Sequence, residues 1–204
     1  MAAVGLLGGT FNPPHIGHLV CAMEAREQLG LDAVWLVPTS VPPHKPVRDD
    51  PGAEERARLC ELAAASEPGM SVSRADLDRP GPSYTVDTLR ALHDDASGDT
   101  LTFILGGDQA LGLPTWREAE ALPGLARFAV AEREGVGRQD LLDRLSGLPG
   151  AAERVVFFDM PRLDVSSSLI RERVAAGRAI RHLVPEAVAA RIVEAGLYRE
   201  EVRA

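Results

Sequence analysis

Residues 8 to 18 read GGTFNPPHIGH and follow directly on the apolar run Ala2 to Leu7. Gly8 and Gly9 let the backbone approach a ligand closely. If a helix begins near Ile16, its first turn offers N–H groups that have no partner inside the helix, at the positive end of the helix dipole. That is chemistry for an anion, a phosphate above all. His15 and His18 stand three residues apart at the same point, so both rings can face one side and reach one ligand. Two readings of the pair stay open: anion-binding imidazoles, or surface and capping histidines. Zinc is a poor fit, because HExxH spacing is absent and no cysteine or carboxylate cluster stands nearby in the sequence. The chain also lacks GxxxxGK(S/T), and GGTFNP does not supply GxGxxG, so phosphate would be held by another route, one using histidine.

These residues need a frame. Short apolar runs at Ala3 to Leu7, Ala33 to Val37, Leu101 to Leu105, Phe128 to Ala131 and Val155 to Phe158 predict strands buried on both faces. Helical patterns lie between and after them, at Gly17 to Leu29, Ala53 to Ser66, Thr85 to His93, Gln139 to Leu145, Ser167 to Ala176 and Pro185 to Glu194. Such alternation predicts an α/β fold, an open parallel sheet flanked by helices with right-handed crossovers. Pro185 and Glu186 suit a first helical turn, and Gly196 suits a C-cap. The stretch Pro38 to Pro46 holds four prolines and reads as a stiff loop that can hold His44 and Lys45 in place. In an open parallel sheet ligands bind outside the carboxyl ends of the strands. Residues 8 to 18, 38 to 46, 106 to 108 and 161 to 168 all fall there.

Length and composition bound the rest. At 204 residues, with 45% hydrophobic and 25% charged residues, the chain has ordinary globular values and is expected to form one domain, residues 1 to 204, with C-terminal helices over 167 to 198 packed on it. The formal charge of -8 argues against a nucleic acid backbone as the main partner, yet a few placed cations can still bind a small anion. No apolar run reaches the roughly 18 residues of a spanning helix, and the first residues carry no basic leader, so no membrane partner and a cytoplasmic location are expected. Cys21 and Cys60 form no CxxC pair and read as buried thiols. Met23 and Met70 read as packing, Trp35 as a core residue, His93 and His182 as solvated, and the mixed charges from Arg48 to Arg58 as a solvated helix face.

GGTFNPPHIGH strongly resembles the (G/T)xxPxHxGH signature of the nucleotidylyltransferase superfamily. Further blocks narrow the resemblance to the bacterial nicotinate-nucleotide adenylyltransferases: PTSVPPHK at 38 to 45, PSYTVDTL at 82 to 89, LGGDQALGLPTW at 105 to 116, VSSSLIRERV at 165 to 174, and the tail GRAIRHLVPEAVAARIVEAGLY at 177 to 198. The resemblance implies a Rossmann-like fold of the HxGH type and transfer of AMP from ATP to nicotinate mononucleotide, with Mg2+ held mainly by the ATP phosphates rather than by protein ligands. The attacking 5′-phosphate is mostly dianionic at neutral pH, its second pKa being about 6, so no general base is required. Alignment and charge neutralisation are the work left to the protein.

By the same resemblance, His15, His18 and Arg171 would be the catalytic contacts, with His18 at the α-phosphate and Arg171 on the departing pyrophosphate. Gly8, Gly9, Thr10, Phe11, Gly106, Asp108, Ser167 and Ser168 would form the ATP side, Asp108 accepting from ribose hydroxyls. His44, Lys45, Thr85, Trp116 and Arg117 would form the mononucleotide side, with the phosphate at Lys45, the carboxylate at Thr85 and the pyridine ring on Trp116. Relatives often carry another residue in place of Arg117, and more often alanine or threonine in place of Gly107. Relatives also differ in assembly, and a homodimer is allowed for. Nicotinamide mononucleotide as substrate is the nearest alternative. A non-catalytic nucleotide-binding regulator would be expected to have lost a histidine of HxGH or the arginine of SSSLIR, and both are present.

Overall fold

The computed structural model describes residues 2–43, 48–95, 99–132 and 137–199. In chain order the elements are β1 (Ala3–Gly9), α1 (Ile16–Leu29), β2 (Ala33–Pro38), α2 (Ala53–Ala64), β3 (Met70–Val72), α3 (Thr85–Asp95), β4 (Thr100–Gly106), α4 (Gly107–Gly112), α5 (Leu122–Leu125), β5 (Arg127–Glu132), α6 (Arg138–Leu145), β6 (Val155–Asp159), α7 (Ser167–Ala175) and α8 (Glu186–Glu194). The strands form one parallel sheet in the order β3-β2-β1-β4-β5-β6. Both halves therefore wind outward from β1 and β4, which pair with Leu6 opposite Phe103 and Leu7 opposite Ile104.

Period-two side chains sort the core into two layers. Leu6, Phe103, Leu105, Phe128 and Val130 point to the face covered by Val86 and Leu89 of α3 and by Leu141 and Leu145 of α6. Leu7, Leu36, Ile104, Ala129 and Ala131 point to the other, against Cys21, Ala22 and Ala25 of α1 and Cys60 of α2. Small residues on α1 let it lie close to the sheet. A third cluster joins Leu19 of α1 and Leu59 of α2 to Ile170 of α7 and to Val188 and Ile192 of α8. The C-terminal helices are thereby packed against the helix that begins at the histidine pair.

Several expectations change. β3 is an added strand: three residues pairing on one side leave too short a pattern to read. α4 also escapes the sequence, because GGDQALG combines a short span with glycines of low helix propensity. Pro185 sits one residue earlier than expected, as the extended N-cap of α8, and Gly196 one residue past the C-cap Ala195, with a left-handed φ of 62°. Met23 is 38% exposed rather than packed. The largest correction is Arg56, which is 0% exposed inside the run taken for a solvated face. It donates from Nη1 to the carbonyls of Thr10 (2.9 Å) and Thr39 (2.7 Å), from Nη2 to that of Ser40 (3.1 Å), and from Nε to Asp50 Oδ1 (2.9 Å). Four acceptors from three chain segments compensate the buried charge. Cys21 and Cys60 are buried, and burial raises the Cys60 thiol far above its ordinary value. Among the described residues no helix is long and apolar enough to cross a membrane.

Candidate active site

Strand order reverses between β1 and β4, and a crevice opens past the carboxyl ends of such a pair. A cleft of about 820 Å³ lies there. From the β1 end it is lined by Gly8, Gly9, Thr10 and Asn12, and from the β4 end by Leu105, Asp108 and Gln109. A Cβ on Gly8 would stand 3.0 Å from Phe103 Cζ, and one on Gly9 would stand 3.1 Å from Phe11 Cζ, so this turn is glycine because aromatic rings occupy the space. Phe11 itself is buried with a left-handed φ of 50°, and the Asn12–Pro13 peptide is cis.

The turn delivers the chain to α1 with His15 as an extended N-cap. The His15 backbone N–H donates to His18 Nδ1 at 3.1 Å, the return bond that a Glu or Gln makes in a capping box. A neutral imidazole that accepts at Nδ1 carries its proton on Nε2, so His18 presents an N–H donor on its far side. The two rings stack with centroids 3.7 Å apart and planes 27° apart, and Phe11 packs edge-on to His18 at 4.9 Å. A Cβ on Gly17 would come within 3.1 Å of His15 Cε1 and Nδ1, which is why the residue just before His18 is the smallest one. His18 thus caps the start of α1, and accepting at Nδ1 sets its tautomer.

α7 approaches from the other side. Ser166 is its N-cap, its Oγ accepting from the Leu169 N–H at 3.1 Å. Ser167 Oγ donates to the Pro13 carbonyl at 2.8 Å, which ties the start of α7 to the turn before α1. One turn along, Arg171 is 15% exposed. Its Nη1 donates to the Asn12 carbonyl at 2.8 Å, its Nη2 to Ser168 Oγ at 3.3 Å, and its Nε lies 3.5 Å from Asp49 Oδ2. Asn12 is 3% exposed and joins three segments: its Nδ2 donates to the Arg48 carbonyl (2.8 Å), and its Oδ1 accepts from the Tyr198 hydroxyl (2.8 Å). Burial pushes the Tyr198 phenol well above its ordinary value, so it stays a donor through the neutral range.

The opposite end of the cleft is built by α3 and the segment after α4. Thr85 opens α3, and Trp116 follows a single 3-10 turn, Leu113–Thr115. Trp116 is half-buried, edge-on to Phe103 with centroids 6.2 Å apart. The Arg117 guanidinium lies 4.6 Å over the Tyr84 ring and 3.6 Å from Glu118. Asp76, 4% exposed, accepts from Thr88 Oγ1 at 2.5 Å and from Arg79 Nη2 at 3.3 Å.

Of the residues singled out from the sequence, the cleft wall brings together Gly8, Gly9, Thr10, Thr85, Asp108, Trp116, Arg117, Ser167, Ser168 and Arg171. Phe11, His15, His18 and Gly106 do not line the cleft; Phe11 touches both Gly9 of the wall and the His18 ring. His44 and Lys45 lie outside the described residues. Sequence reasoning passed over Asn12, Asp76 and Arg56. Asn12 sat inside the quoted motif and could have been found, since an amide between an aromatic and two prolines has no helix to cap. Asp76 and Arg56 carry no local signal.

The chain matches the cytidylyltransferase-like family over residues 6–173. A protein of a Roseiflexus species named "Probable nicotinate-nucleotide adenylyltransferase" is 44% identical over 198 residues, covering 97% of this chain and 98% of its own. A protein of the same name from Acidothermus cellulolyticus is 42% identical over 203 residues, covering 97% and 95%. In fold, the chain resembles Plasmodium falciparum nicotinic acid mononucleotide adenylyltransferase complexed with NaAD, with a TM-score of 0.77 at 18% identity over 97% of this chain and 98% of that one.

Proposed function

The chain belongs to the cytidylyltransferase-like family and, within it, to the nicotinate-nucleotide adenylyltransferases, and from that membership we propose that it transfers AMP from ATP to nicotinate mononucleotide. The products are nicotinate adenine dinucleotide and pyrophosphate. One observation carries the reading: a single cleft at the strand-order reversal has phosphate-suited groups at one end and an aromatic, hydroxyl and cationic set at the other. That is the layout a two-nucleotide transfer needs.

In the proposed reaction an oxygen of the mononucleotide phosphate bonds to the α-phosphorus of ATP as the bond from that phosphorus to the bridging oxygen breaks. The electron pair leaves with pyrophosphate. No proton has to be removed, so the protein's task is alignment and neutralisation. Gly8 to Thr10 would admit the triphosphate close to the backbone, and Asp108 would accept from the ribose hydroxyls. Arg171 would swing its charge from Asp49 to the departing phosphates. His18, its tautomer set by the His15 N–H, would direct Nε2–H to the α-phosphate, where charge builds in the transition state. Thr85 and Arg117 would meet the nicotinate carboxylate, and Trp116 the pyridine face. Lys45 and His44 are assigned to the mononucleotide phosphate on sequence grounds.

Magnesium enters with the nucleotide in this scheme and would neutralise part of the triphosphate charge. Among the described residues no three His, Cys, Asp or Glu side chains converge to hold an ion. The test is pyrophosphate release by the purified protein with ATP and Mg2+, with nicotinate mononucleotide and nicotinamide mononucleotide in parallel. A strong preference for the acid is expected. Comparable rates would overturn the carboxylate contact, and no release with either would overturn the reaction.

A further inference from the structure

Tyr198 stands in the tail beyond α8, far in sequence from the cleft. The end of α8 explains how it returns. The N–H of Gly196 donates to the Val193 carbonyl (3.2 Å) and that of Leu197 to Ile192 (3.0 Å), the paired bonds that close a helix when a left-handed glycine follows it. The chain reverses there. Leu197 and the Tyr198 ring pack on the cluster that contains Ile170 of α7 and Leu19 of α1. A second tie fixes the same helix: Arg191 donates from Nε and Nη2 to both oxygens of Glu55 on α2, at 2.7 and 2.9 Å. The hydroxyl is thus delivered by packing to one place, 2.8 Å from Asn12 Oδ1.

That contact settles how the buried Asn12 is used. A phenol kept protonated by burial must find an acceptor, so the amide oxygen faces Tyr198 and the amide nitrogen faces the Arg48 carbonyl. The carbonyl of the same residue receives Arg171. Asp49, the carboxylate partner of Arg171, directly follows the residue that Asn12 holds. Of the three contacts of the guanidinium, two, the Asn12 carbonyl and Asp49, therefore hang on one asparagine whose orientation the tail fixes; the third, Ser168 Oγ, lies on α7 itself.

We propose that Tyr198 is a positioning residue for the transfer reaction: through Asn12 it sets the backbone on which Arg171 docks, and so the direction in which Arg171 meets the β- and γ-phosphates of ATP. The inference rests on the reading of Arg171 given above. Removing the hydroxyl leaves the ring in place and Asn12 Oδ1 without its donor, so the amide is free to turn and the Asn12 carbonyl to shift. Trp116 and Thr85 sit on the α3 side of the sheet, away from the cluster that holds Tyr198, so pyridine binding would be little affected.

The experiment is a double-mutant cycle of Tyr198→Phe and Arg171→Lys, reading kcat/KM for ATP and melting temperature. Tyr198→Phe should melt as a folded protein and lose about tenfold in kcat/KM for ATP, the size of one buried hydrogen bond. In the Arg171→Lys background the same change should cost less than about twofold, because the side chain it positions is gone. A merely structural tyrosine would give equal losses in both backgrounds, and that additivity would overturn the proposal. If Arg171→Lys is crippled while Tyr198→Phe matches the parent, the proposal falls and the site reading stands. If Arg171→Lys itself matches the parent, the reading of Arg171 falls and takes the proposal with it.

Discussion

Arg56→Met isolates what one buried cation contributes to a cleft it does not line. Methionine keeps most of the unbranched stem, so the change deletes the guanidinium and little packing. Three backbone carbonyls, of the half-buried Thr10, Thr39 and Ser40, lose a donor that is itself fully buried, and Asp50 loses its partner. The Asp50 side chain is 31% exposed and can turn to water, so its share is small. An unpaired buried group costs about 1–3 kcal/mol, and breaking a buried ion pair about 3–5 kcal/mol. Part of that is offset, because a guanidinium no longer has to be desolvated. A net loss of about 3–5 kcal/mol is expected.

Against a typical total of about 5–15 kcal/mol this is a large fraction. For a chain of this length each kcal/mol moves the melting temperature by roughly 2–4 °C, so a fall of roughly 6–20 °C should follow. Urea unfolding at neutral pH, read as a change in midpoint at constant slope, gives the free energy directly. Arg56→Lys should lie between, since one ammonium cannot span carbonyls from both turns. Thr10 and Thr39 line the cleft from two different loops, so the folded fraction of Arg56→Met should also turn over more slowly. A loss under about 1 kcal/mol would refute the account, showing that water or the backbone satisfies those carbonyls unaided.

Three further outcomes follow from the site and its supports. His18→Ala should lower turnover by about two orders of magnitude or more, well beyond the about 1 kcal/mol of stability that loss of the cap costs; near-normal turnover in a folded variant would return the ring to capping alone. Trp116→Ala should raise the KM for the pyridine nucleotide by about tenfold while changing kcat much less, and an unchanged KM would leave only its packing against Phe103. Hydrogen bonds from Arg191 hold the Glu55 carboxyl below its ordinary value, so this group adds stability above an unfolded pKa of about 4.3 and loses it as pH falls through the lower folded value. Glu55→Gln should therefore be less stable than the parent at pH 7, with the gap closing as the pH drops below about 4; a gap that stays constant with pH would rule out the ion pair as its cause.

Which of these residues could be read from the sequence follows a physical line. Strands at the centre of the sheet announce themselves, because burial on both faces demands an unbroken apolar run, as in Leu101 to Leu105. β3 does not, since an edge strand of three residues buries little. The histidine pair was legible for a similar reason: spacing of three at a helix start is a local fact, and the structure places both rings in one stack.

Arg56 marks the limit. In the stretch AEERARL it looks like one more charge on a mixed helix, and nothing within a turn of it tells otherwise. Its burial is decided by carbonyls of residues 10, 39 and 40, whose positions depend on the turns after β1 and β2 being folded. The Tyr198 hydroxyl repeats the pattern, its acceptor on Asn12 lying 186 residues away. A polar side chain is legible when its partner lies within one helical turn, and illegible when the partner is a backbone group brought in by the sheet. His18, which bonds within its own turn, is of the first kind. Arg171 and Ser167, held by the carbonyls of Asn12 and Pro13, are of the second, so the motif that contains them was readable and the contacts that hold them were not.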